Sequence, residues 1–74
     1  MKLRKDIKRG RISPQLEKIK HLREIKNIKQ EEMAELLGIH RDTYIRKENG
    51  VCRFYIDELF KILIILDCDL SDIF

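Results

Sequence analysis

The 74-residue chain has one proline, three glycines, no tryptophan and 7% aromatic residues. So few breakers leave helices little to interrupt them, and no stretch of useful length alternates apolar with polar residues as a half-buried strand would. Its two cysteines, Cys52 and Cys68, form no CxxC pair and have no histidine pair nearby, which gives no basis for a zinc site. One disulfide would be conceivable, but the leading MKLRKDIKRGRIS has no apolar signal core. Reduced thiols in a cytoplasmic protein are therefore the expectation. The longest apolar run, ILIIL at 62–66, is far too short to span a bilayer. The only histidines, His21 and His40, fall on different elements, and no carboxylate pair, activated nucleophile or glycine-rich phosphate loop appears. No enzyme, metal or cofactor is expected.

What the sequence has in quantity is charge and aliphatic bulk. Charged residues make up 39% of the chain, and their distribution is uneven. Positions 1–14 hold Lys2, Arg4, Lys5, Lys8, Arg9 and Arg11 against the single Asp6, a net of +5. The remaining residues carry ten basic and twelve acidic side chains, a net of −2. A basic arm on a nearly neutral body suits a polyanion, nucleic acid before an acidic membrane, although a solvated terminus would look the same. A chain of this length buries only about 60% of its unfolded surface, so one small core in one domain is expected.

The apolar spacing divides the body into short helices. Leu3 and Ile7 allow a short turn of helix ending near Gly10. Ser13 is a natural N-cap and Pro14 a natural first helical residue; Leu16, Ile19 and Leu22 then fall on one face beside Arg23. Asn27 suits a left-handed helix end, with Ile28 as a plug behind it. In QEEMAELL, Glu31 and Glu32 favour the positive N-terminal end, and Met33, Ala34 and Leu37 form the inner face. Lys29 is a poor cap for that helix. HRDTYIRKEN reads as a further short helix ending at Gly50. YIDELFKILIILDC is a strongly apolar one with Ile56, Leu59, Ile62, Leu63 and Leu66 expected inside, and LSDIF is a final turn. The fold expected is all-α: a compact bundle of about five short helices.

Within it, one apolar helical pattern stops at Gly38 and another starts two residues later. Glycine tolerates positive φ, so the chain can turn sharply there. Ala34 leaves room one turn earlier, Ile39 plugs the corner, and the next helix projects as a ridge that fits a DNA major groove. Gln30, Ala34, Gly38, Ile39, the ending ENG at 48–50, Arg23 seven residues before Gln30, and the closing DIF together resemble the Cro/C1-type (XRE family) helix-turn-helix regulators. The resemblance spans residues 15–74 and leaves 1–14 as a basic arm. It implies the lambda-repressor-like fold and binding to double-stranded DNA.

By position, the resemblance implies that Arg41, Asp42 and Thr43 meet base edges at the start of the recognition helix, with Arg46 one turn on. Gln30 and Asn49, with nearby backbone amides, are the implied phosphate contacts; His40 and Lys47, where the chain departs from the family, are read as further phosphate contacts, with His40 as a merely tolerated cap the other reading. Arg23 is implied to pair with Glu48. The residue types agree: Arg41 can grip guanine O6 and N7 with two donors. Asp42 can accept from a cytosine amine, pair with Arg41 or cap the helix. Thr43 divides between a DNA contact and a structural hydrogen bond. The chain departs from the family pattern at three places. His40 replaces a small cap, Phe54 stands where proline is common, and Lys47 stands where an apolar residue is commoner. The Lys47 stem is expected to lie along the core with its ammonium outside. Tyr44 is then expected to carry the packing, its hydroxyl reaching the surface.

A last feature concerns partners. Phe60, Ile64 and Ile65 exceed what one core needs, and a helix apolar nearly all round must be covered on more than one side. A homodimer through Phe60, Ile64 and Phe74 is expected, placing two recognition helices about 34 Å apart on a palindromic operator. A slightly larger core, covered by the leading residues, is the other reading. The function expected is a repressor with no small-molecule effector evident. An antitoxin or antirepressor that docks a protein through FKILIIL is the alternative.

Overall fold

The computed structural model describes residues 13–74 of the chain. Five helices follow one another there: α1 (Pro14–Ile25), α2 (Gln30–Leu37), α3 (Arg41–Glu48), α4 (Ile56–Leu66) and α5 (Leu70–Ile73), and no strand occurs among the described residues. The turn expected at Leu3 and Ile7, and the basic side chains of the arm, lie outside the described residues. Ser13 Oγ accepts the Leu16 amide at 3.2 Å and Pro14 opens α1.

Helix starts here use two devices. At α1 and α3 the N-cap side chain itself accepts: Ser13 as above, and His40 Nδ1 from the Asp42 amide at 3.2 Å. At α2, α4 and α5 the cap residue lends only its backbone. An acid three positions on reaches back to it: Glu32 to the Lys29 amide, Glu58 to the Tyr55 amide and Asp72 to the Asp69 amide, each at 2.8 Å. Lys29, a poor cap by its side chain, is thus compensated by Glu32.

Helix ends are more uniform. Asn27, Gly38, Gly50 and Asp67 have φ of 58°, 75°, 81° and 54°. Each follows a helix, and each is framed by the same two bonds. For α2 these are Gly38 N–H to Glu35 O at 3.1 Å and Ile39 N–H to Ala34 O at 2.9 Å. This pairing satisfies carbonyls that the helix leaves without partners. The residue after the turn is apolar in every case: Ile28, Ile39, Val51 and Cys68. Ile28, Ile39 and Cys68 pack against the core, while Val51 stays exposed.

The core gathers Ile19 from α1, Met33, Ala34 and Leu37 from α2, Tyr44 from α3, Ile62 and Leu66 from α4, and Ile73 from α5. Each such aliphatic side chain, fully buried, contributes about 1.5–3 kcal/mol. Phe54, where the family often has proline, sets its ring 5.8 Å from that of Tyr44, tilted by 57°. Cys52 is exposed, Cys68 half-buried, and both are free thiols. No helix of the described residues is long and apolar enough to cross a membrane.

One face of α4 differs from expectation. Ile62 and Leu66 are buried and Leu59 and Leu63 half-buried, but Ile56 is 67% exposed. The residue that completes the inward stripe four positions before Ile62 is Glu58. Ile56 instead stands on the outward row with Phe60 and Ile64, because residues four apart share a helix face. Ile65, beyond the expected inner set, packs half-buried against the core.

Candidate nucleic-acid interface

The turn at Gly38 delivers α3 with two unlike sides. Arg41, Asp42 and Arg46 are exposed, Thr43, Ile45 and Asn49 are half-buried, and Tyr44, Lys47 and Glu48 are buried. Asp42, Arg46 and Asn49 follow one another at helical spacing, with Arg41 on their flank. The Arg41 guanidinium and the Asp42 carboxylate stand 3.7 Å apart, with side chains 58% and 63% exposed. At that distance the pair is loose and both groups remain free to meet a ligand.

The inner side of α3 is fastened by two carboxylates. Glu48, its side chain wholly covered, accepts four bonds. Arg23 donates from Nε at 2.9 Å and from Nη2 at 3.2 Å, Gln30 from Nε2 at 2.9 Å, and the Tyr44 hydroxyl at 2.6 Å. Arg23 also donates from Nη1 to the Ile28 carbonyl at 2.7 Å. One acid therefore ties the end of α3 to α1, to the turn after α1 and to the start of α2. Burial works against the Arg23 charge, but the hydrogen bond and charge of Glu48 outweigh it and raise the guanidinium pKa above its ordinary value. Burial, reinforced by the same carboxylate, pushes the Tyr44 phenol strongly upward.

The second carboxylate is Glu58, at the start of α4. Its Oε1 accepts the Tyr55 amide at 2.8 Å and the Lys47 ammonium at 2.6 Å. The Lys47 Nζ also lies 4.1 Å from the centroid of the Tyr55 ring, a cation–π contact.

Three expectations are corrected by this geometry. The Lys47 ammonium is not outside: the residue is 5% exposed and its charge is turned onto Glu58. The Tyr44 hydroxyl does not reach the surface. The residue is wholly buried, because Glu48 offers its phenol an acceptor inside. The backbone amides after Asn49 are not free for phosphate either. Those of Gly50, Val51 and Cys52 donate to the carbonyls of Lys47 and Arg46.

The other sequence-named residues stand as follows. His40 is exposed and caps α3 through Nδ1. Asn49 is half-buried at the C-terminal cap of α3. Gln30 is half-buried, its amide nitrogen on Glu48, at the first residue of α2, where helix amides lack intrahelical acceptors. Phe60 and Ile64 lie one turn apart on the outer row of α4, 53% and 79% exposed. Phe74 is exposed at the end of α5 and lines an open groove with Leu16, Phe54 and Leu59.

Sequence reasoning missed Glu58 and Tyr55. A signal existed: Glu58 sits four before Ile62 and eight before Leu66, on the buried stripe, and three after a residue that cannot cap by itself. The flank of α3 matters as well. An open groove between the starts of α2 and α3 is lined by Lys29, Glu31, Glu32, Glu35, Ile39, His40 and Arg41.

A family profile for the Cro/C1-type helix-turn-helix DNA-binding domain matches residues 18–74. Searches of curated proteins and of solved structures find no match. The profile covers most of the chain and, apart from the first four residues of α1, every helix described above, with α2 and α3 as the helix-turn-helix pair. The chain belongs to the Cro/C1-type helix-turn-helix DNA-binding domain family.

Proposed function

We propose that this DNA-binding regulator of transcription reads a specific, palindromic operator as a homodimer and represses by occupying it. The observation that carries the reading is the two-sidedness of α3. Its inner side is fixed by Tyr44, Glu48 and Lys47, while Arg41 and Arg46 are exposed on the outside. A helix that must read base edges needs both properties, since a loosely held reader cannot discriminate. In this reading Arg41 takes guanine, Asp42 and Thr43 adjoin it, and Arg46 reaches a base or the far backbone. Gln30, His40 and Asn49 meet phosphates. The row Ile56, Phe60 and Ile64 supports a dimer, because three large apolar side chains in line on one exposed face are characteristic of partner surfaces.

The same row supports a second reading, an antitoxin or antirepressor that docks a protein through α4. Selection of bound sites from a random DNA pool, followed by gel shift across a salt series, tests the first. An enriched palindrome whose binding survives salt that removes random DNA is the expected result. A pool without enrichment would leave only the protein-docking reading.

A further inference from the structure

The Lys47–Glu58 pair places two charged residues in the interior. Both are buried, at 5% and 6% exposure, and the ammonium–carboxylate distance is 2.6 Å. Buried ion pairs are weak sources of stability, and well-packed apolar replacements often equal or exceed them. Stability is therefore a poor reason for this one. Its position suggests another. Lys47 follows Arg46 on the helix that faces DNA, and the cover over its ammonium is thin: the Tyr55 ring beside it belongs to a residue 68% exposed. Without a buried acceptor, a lysine stem would swing its charge out to water and to a nearby phosphate.

We propose that Glu58 is a specificity-determining residue, which holds the Lys47 charge out of the DNA interface and so withholds a sequence-independent phosphate contact. The proposal rests on the DNA-binding reading and concerns how tightly that interface grips any duplex. A phosphate contact strengthens binding to all sequences alike, and a regulator must find its site among a vast excess of wrong ones. Keeping one cation inside lowers affinity for wrong DNA without touching Arg41 or Arg46. Glu58 can perform this because the same Oε1 is anchored by the Tyr55 amide, so the acceptor cannot follow the lysine outward.

The test is Glu58→Gln, which keeps an oxygen for the Tyr55 amide and removes the charge that retains Lys47. On random-sequence duplex the salt dependence of binding should steepen by about 0.9 in the log–log slope, one phosphate contact. Affinity for that duplex should rise at low salt. In Lys47→Met/Glu58→Gln the slope should return to that of the native chain. An E58Q slope equal to the native one overturns the proposal.

A second measurement needs no variant. Amine-directed labelling of the native chain, read by mass spectrometry, should leave Lys47 unmodified with and without duplex. Labelling of Lys47 in the free protein that duplex then blocks overturns the proposal even if E58Q does not fold. Failure of the native chain to bind any duplex would instead remove the DNA-binding reading. Labelling of the free protein reads Lys47 burial separately from that outcome.

Discussion

Arg23 and Glu48 lie 25 positions apart and meet through two hydrogen bonds, Nε to Oε2 at 2.9 Å and Nη2 to Oε1 at 3.2 Å, with almost no solvent around either. Glu48 also serves Tyr44 and Gln30, so its loss strands four donor groups on three side chains at once. Glu48→Ala should cost about 3–5 kcal/mol, the usual result of leaving a buried charge alone. For a domain whose total stability is on the order of 5–15 kcal/mol, that approaches unfolding. Urea unfolding measures it. A loss under about 1 kcal/mol would mean that water reaches Arg23 and replaces the acid.

Tyr44 makes stability depend on alkaline pH. Burial first, then the hydrogen bond and charge of Glu48, raise its phenol pKa above the ordinary value of 10.0. The folded state therefore holds the proton more tightly than the unfolded state. The stabilisation is complete below about pH 10 and declines as pH rises beyond it. In Tyr55→Phe protein, where Tyr44 is the sole phenol, tyrosinate absorbance should appear only together with loss of helical circular dichroism. Tyrosinate forming in a still-folded chain would contradict the buried bond.

Gly38 separates conformational cost from steric cost. Its φ is 75°, and a Cβ added there would meet nothing within 4 Å. Gly38→Ala should therefore lose about 1–2 kcal/mol through the left-handed backbone alone. Gly38→Asn should lose less, since asparagine visits that region and already does so at Asn27. Equal losses in thermal melts would point to a clash, not to backbone preference.

Arg41 is predicted to read a base. Arg41→Ala should lose about 1–3 kcal/mol on the selected site and relax one base position, with the salt slope little changed. Equal weakening on every sequence, accompanied by a slope shallower by about 0.9, would make Arg41 a phosphate contact.

Phe60 and Ile64 are predicted to join two copies. Phe60→Glu/Ile64→Glu should give a monomer by light scattering with the helical spectrum retained, because both side chains point away from the core. An unchanged mass would end the dimer reading through this face.

The sequence by itself determined the elements and the turn. Apolar residues three and four apart place helical faces, and Ser13, Asn27, Gly38 and Gly50 mark ends through capping and left-handed backbone, both local effects. The family match at residues 18–74 agrees with the motif residues that those elements display. What only the tertiary structure decided is where charge goes. Lys47 reads as a charge held outside, Tyr44 as a surface hydroxyl and Ile56 as core. The first two are corrected by a carboxylate on another turn or another element, the third by one two residues along its own helix. Glu48 draws the phenol in, and Glu58 both draws the ammonium in and takes the inward place that Ile56 was expected to fill. Helix periodicity ranks side chains by polarity, whereas a polar group is buried when a partner meets it there. That partner lies anywhere from four to 25 positions away in the chain, and only folding brings the two together.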